Sequence, residues 1–207
     1  MKRTSQLLFV IYLLVVLIAG MLAPDYYIIT RNTISELGAQ GFPNAWLMRA
    51  GFFILGSAVT AMVFALSKTK RWSFLQASAL MGLLIYAGAL FILGWWSDKN
   101  FFVLDHNLDS FLHEFFYRIS LLFFLLSVTL NAMVVKDKNF IILSVFTFCA
   151  VLILRYLFSE FVDYQGITER MMQVVVVYWL LKLNSVPEYF FSKIENDMGK
   201  IASTLVK

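Results

Sequence analysis

The sequence predicts an all-α polytopic membrane protein, a six-transmembrane-helix bundle with a short interfacial helix in its first outer loop. Three observations carry this expectation. Of 207 residues, 60% are hydrophobic and only 14% charged, where a soluble domain carries roughly 25% charged residues. The mean hydropathy is +0.77. Six apolar runs each approach the ~20 residues that a helix needs to cross a bilayer. Helix is demanded because backbone groups in hydrocarbon must pair within their own segment. No linker, low-complexity tract or internal repeat divides the chain. Residues 1–186 therefore read as one six-helix transmembrane domain, and 187–207 as a cytoplasmic amphipathic tail.

The spans fall at about 6–23, 45–67, 73–96, 112–135, 139–158 and 168–184. The first follows Lys2 and Arg3 as a signal peptide would, but Met21 at the −3 position and Pro24 after Ala23 disfavour cleavage. An uncleaved first helix is expected. The following loop holds Thr33-Ile34-Ser35-Glu36, the pattern of a capping box in which Thr33 accepts from the Glu36 amide and Glu36 reaches back. Gly38 is expected to end that turn with positive φ, and Asn44 to cap the second span. Ser57, Ala61 and Ala65, and Ala79, Gly82 and Gly88, offer small faces for close helix contact in the second and third spans. Cys149, the single cysteine, lies in the fifth span and reads as a buried small hydrophobe, with no intramolecular disulfide to form. Trp46, Trp95 and Trp96 are expected at the outer interface, and Trp72 and Trp179 near the inner one. The tail alternates apolar Tyr189, Phe190, Ile194, Met198 and Ile201 with charge, as a helix lying on the cytoplasmic leaflet would.

Lys and Arg set the orientation. Lys2, Arg3, Lys68, Lys70, Arg71, Lys136, Lys138 and the tail lysines share one side, which places both termini in the cytoplasm of an inner-membrane protein. Most acids and both histidines gather on the opposite side. Basic cytoplasmic loops thus account for the net charge of +4, and no nucleic-acid partner is expected. Membrane lipids are the expected partners, with a membrane-protein partner possible through the apolar exterior and the tail. No GxSxG, Gly-rich phosphate loop or CxxC is present, and no cofactor is expected.

Candidate site residues lie on the outer side. Arg49, Arg118, Arg155 and Arg170 sit near the outer ends of four spans, where a guanidinium is costly unless paired or facing a wet interior. Glu36, Asp98, Glu114, Asp163 and Glu169 are the available partners. The outcome is either a salt-bridge network that ties helix ends together or a polar pocket in which one arginine stays free to hold a phosphate or carboxylate. Glu114 and Arg118 form an i,i+4 pair. His106, Asp109 and His113 share a helix face and could ligate a metal with Asp98 or Asp163, although their spacing matches no compact zinc signature.

The string from Ala23 to Gly56 resembles a family of bacterial and archaeal membrane proteins, the domain of unknown function 998. The resemblance rests on Pro24-Asp25-Tyr26, Ile34-Ser35-Glu36-Leu37-Gly38-Ala39 and Gly51-Phe52 with Gly56. It continues through Asp98, His113 and Gly166-Ile167-Thr168-Glu169-Arg170. Asp25 stands where the family pattern has glycine, and Glu169 where it has glutamine. The resemblance implies a six-helix bundle and no particular activity. Its motif positions Glu36, Asp98, His113 and Arg170 all fall on the outer side.

Three functional readings follow. The leading one is an outward-facing pocket for a lipid headgroup or small polar ligand, built from Glu36, Arg49, Asp98, His113, Arg118, Asp163 and Arg170. The second is a metal-assisted lipid hydrolase with His106, Asp109 and His113 as ligands and Glu114 or Asp98 as base. The third is an accessory subunit or assembly factor of a membrane complex.

Overall fold

A computed structural model describes residues 2–68, 73–99, 102, 107–135 and 137–186. Six long helices account for most of these residues: α1 (Lys2–Met21), α2 (Ala45–Leu66), α3 (Phe74–Trp95), α4 (Leu108–Val134), α5 (Lys138–Glu160) and α6 (Gln165–Ser185). One-turn 3₁₀ helices at Ser35–Gly38 and Val162–Tyr164 complete the set, and no strand occurs among the described residues. The amphipathic-tail expectation, with Trp72 and His106, lies outside the described residues.

Local chemistry starts three of the helices. Ser73 and Gln76 form a reciprocal capping box at α3. Asn107 accepts from Ser110 N at the start of α4, and Asp137 from Phe140 N at α5. Asn44 differs from the expected cap: its backbone is left-handed (φ 58°) and its side chain makes no cap bond to α2. The left-handed glycine of this connection is Gly41 (φ 74°), not Gly38.

Each helix packs against its neighbour in sequence, and α6 closes the ring on α1. At the lower end, Asn184 donates to the Lys2 carbonyl at 3.1 Å and joins the last helix to the first. Among the described residues, the upper end carries 22–44, 96–99, 102, 107 and 161–164. Leu55, Met62, Leu83, Phe124 and Leu180 fill the centre. Trp179 belongs to this core and not to an interfacial belt: it is fully buried, donates to Ser144 Oγ at 3.0 Å and meets Phe124 edge-on. Trp46 and Trp95 are exposed.

Gly82 permits the close approach of α3 to α4, since a Cβ there would stand 2.5 Å from Ser127 Oγ. Gly88 faces open space and takes no part. Cys149 is exposed on the outer face of α5, among Val145, Phe146 and Ile153, which corrects the expectation of a buried thiol. An exterior so rich in exposed Leu, Ile, Val and Phe suits hydrocarbon, not water.

Among the described residues, five helices, α1 to α5, are long and apolar enough to cross a membrane. The sixth is long enough, but it carries Glu169, Arg170 and Lys182. The first two of these build the upper end.

Candidate functional site

The upper loop is organised from its own sequence outward. Thr33 Oγ1 accepts from Glu36 N at 3.1 Å, and Glu36 Oε2 accepts from Thr33 N at 2.9 Å, so the expected capping box forms. Asn32 Nδ2 donates a second bond to the same carboxylate oxygen at 3.0 Å. The other oxygen, Oε1, lies 3.7 Å from Lys99 Nζ. Glu36 therefore caps its turn and pairs with a lysine, where an arginine partner was expected.

This loop and the start of α6 form one seam. The Gly166 and Ile167 amides, among the first N–H groups of α6, donate to the Arg31 and Thr30 carbonyls at 3.1 Å each. A Cβ on Gly166 would stand 2.3 Å from Ile29 O and 2.4 Å from Asn32 O, so only glycine fits. Arg170 Nη1 reaches the carbonyls of Ile29, Asn32 and Gly166 at 2.8–2.9 Å, and Nη2 donates to Tyr27 Oη at 2.6 Å. The Tyr27 hydroxyl donates onward to Thr33 O at 2.8 Å. Burial pushes the Tyr27 phenol up to about 12 despite the opposing Arg170 guanidinium. Glu169, 3% exposed, accepts from Ile34 N and from the Ser35 hydroxyl.

Beneath the seam lies a cavity of about 310 Å³ between the loop, Asp98 and Lys99 after α3, and the upper ends of α4 to α6. Of the expected site residues it brings together Glu36, Asp98 and His113. Arg155, Tyr117 and Glu169 line it as well. A second hollow of about 250 Å³ adjoins it, sharing Glu36, Lys99 and Gln165 with the first.

The other expected residues stand elsewhere. Arg49 Nε donates to Gly38 O at 3.1 Å and ties the 3₁₀ turn to α2. Arg118 is exposed and pairs with Glu114, as the i,i+4 spacing predicted. Asp163 is exposed in its 3₁₀ turn and does not line the cavity. Arg170 braces the seam. For the metal reading, His113 Nδ1 lies 2.8 Å from the Trp96 carbonyl and Asp109 does not line the cavity. Among the described residues no three His, Cys, Asp or Glu side chains are grouped to hold an ion.

Of the four arginines, Arg155 alone lines the cavity. Its guanidinium packs over the rings of Phe158 (4.9 Å) and Tyr117 (5.6 Å) and makes no hydrogen bond or ion pair among the described residues. Two more polar atoms of the lining lack partners: Tyr117 Oη, and Nε2 of His113, a residue 4% exposed. Tyr117 follows His113 by one helical turn, so their i,i+4 spacing was a legible signal for a shared face.

A family model described as a protein of unknown function (DUF998) matches residues 7–184. The chain belongs to the DUF998 family. The match covers all six helices apart from the first residues of α1 and the last of α6, so both the seam and the cavity are parts of a DUF998 domain. No curated protein and no solved structure matches the chain.

Proposed function

We propose that this DUF998 protein crosses the inner membrane six times with both termini in the cytoplasm, and that its outward-facing cavity binds a lipid headgroup or a small polar ligand. Support for α6 as a sixth span comes from the seam. Glu169 and Arg170 are matched by loop groups, so neither charge need meet lipid. Basic residues at the lower end support the orientation.

Arg155 carries the binding reading. A guanidinium held near the top of an apolar bundle without a counter-charge of its own is costly, and an oxyanion offsets that cost through paired, charge-assisted bonds. The cavity volume lies at the low end of the roughly 300–1,000 Å³ typical of small-molecule sites. It accommodates a headgroup better than a whole lipid.

The test is native mass spectrometry of protein released from nanodiscs of mixed phospholipids. Retained phospholipid in the parent, lost in Arg155→Ala at unchanged thermal stability, supports the reading. Equal retention by a folded Arg155→Ala variant would sink it.

A further inference from the structure

Resting on that reading of the cavity, the geometry points to a definite ligand class: a phosphate ester that also carries an ammonium group with N–H bonds, as in a phosphoethanolamine head. The unmet groups of the lining are of two kinds. Arg155 offers donors and positive charge, and Tyr117 Oη can donate beside it, a combination that suits phosphate oxygens. His113 offers the reverse. The Trp96 carbonyl only accepts, so Nδ1 at 2.8 Å carries the proton, and in the neutral ring the unpartnered Nε2 is an acceptor. Asp98 spends one oxygen on the Lys99 amide, and its other has no partner among the described residues.

Charge balance narrows the class further. With Glu36 paired to Lys99, Glu114 to Arg118 and Glu169 taken up by Ile34 N and the Ser35 hydroxyl, Asp98 and Arg155 are the charges of the lining left without a partner of opposite sign among the described residues, one of each kind. A simple anion would meet Arg155 but leave the Asp98 carboxylate without a donor. A simple cation would leave Arg155 unmatched. A zwitterion satisfies both ends. The amine must carry N–H bonds, because Nε2 and Asp98 need donors. A quaternary ammonium instead needs free aromatic faces, and those of Tyr117 and Phe158 are already covered by the Arg155 guanidinium.

The experiment loads full-length protein into nanodiscs of phosphatidylethanolamine, phosphatidylcholine and phosphatidylglycerol in equal parts and counts retained lipids by native mass spectrometry. Phosphatidylethanolamine is expected to exceed each of the others by about tenfold, the worth of one charge-assisted bond. Arg155→Ala should abolish retention, and Arg155→Lys should restore part of it. His113→Asn keeps an N–H for the Trp96 carbonyl but removes Nε2, and should level ethanolamine with choline lipid. Free O-phosphoethanolamine that displaces the lipid at equal head concentration assigns a soluble ligand of the same class. Failure to displace assigns the lipid. Choline or glycerol lipid retained as well as ethanolamine lipid, and still lost in Arg155→Ala, overturns this ligand class while leaving the pocket intact. Folded protein that holds neither lipid nor free O-phosphoethanolamine in an Arg155-dependent way overturns both.

Discussion

Arg155 and Arg170 are the same residue type near the same end of the molecule, yet their surroundings give them opposite work. Arg170 spends its donors on three carbonyls and a phenol, most of them half-buried, and removing it leaves those acceptors unmatched. Arg170→Ala is expected to cost about 2–4 kcal/mol, the sum of charged hydrogen bonds lost and acceptors stranded. A thermal melt in detergent checks this. Arg155→Ala removes only its ring contacts and should change stability by about 1 kcal/mol or less. Tyr27 adds a pH signature. Its phenol is held at about 12 in the folded protein against an ordinary 10, so its contribution is full below pH 10 and fades as pH rises towards 12. The stability gap between the parent and Tyr27→Phe should therefore narrow over that interval, and a constant gap would refute the assignment.

At the scale of elements, the loop from Tyr27 to Ala39 and the first turn of α6 behave as one unit. Gly166→Ala pushes a methyl into two carbonyls of the seam and is expected to cost at least about 2 kcal/mol. Gly88→Ala, also within a helix but facing open space, should be neutral or slightly stabilising. Parallel melts of the two variants test whether the seam is as tight as its geometry says. Much of this unit was legible in sequence. The capping box followed from Thr33 and Glu36 alone, because its bonds span only three residues. The partners of Glu169 and Arg170 were not legible, because Ile34 and Ser35 lie more than 130 positions away. Periodicity located the helices to within a few residues but could not show that Trp179 turns inward while Cys149 turns out. Both sit in runs apolar on every side, where pattern carries no facing information.

For the whole molecule, the proposed topology places Asp163, just before α6, and Ser185, its last residue, on opposite sides of the membrane. Both are exposed. In a Cys149→Ala background, Asp163→Cys should react with a membrane-impermeant maleimide in intact cells, and Ser185→Cys only after permeabilisation. Labelling of both from outside would remove the sixth span. The hydropathy pattern was sufficient for the all-helical class, and its charges are what set α6 apart from the five more apolar helices. The cavity escaped the sequence in part for a related reason. Arg49, Arg118, Arg155 and Arg170 were equivalent by position, and only packing separated the brace, the tie and the surface pair from the arginine that faces the cavity.

The seam joins the first loop to the last helix, and that has a consequence for biogenesis. While the chain is being made, the amide of Ile34 and the hydroxyl of Ser35 have no carboxylate to meet until Glu169 has been synthesised and inserted. The roof of the cavity thus waits, incompletely satisfied, through the translation of four helices, α2 to α5. A chain stalled after α5 would lack the Glu169 carboxylate, the Arg170 guanidinium and the Gly166 and Ile167 amides that hold this loop in place. Synthesis of α6 therefore both closes the seam and supplies Gln165 and Glu169 to the cavity wall.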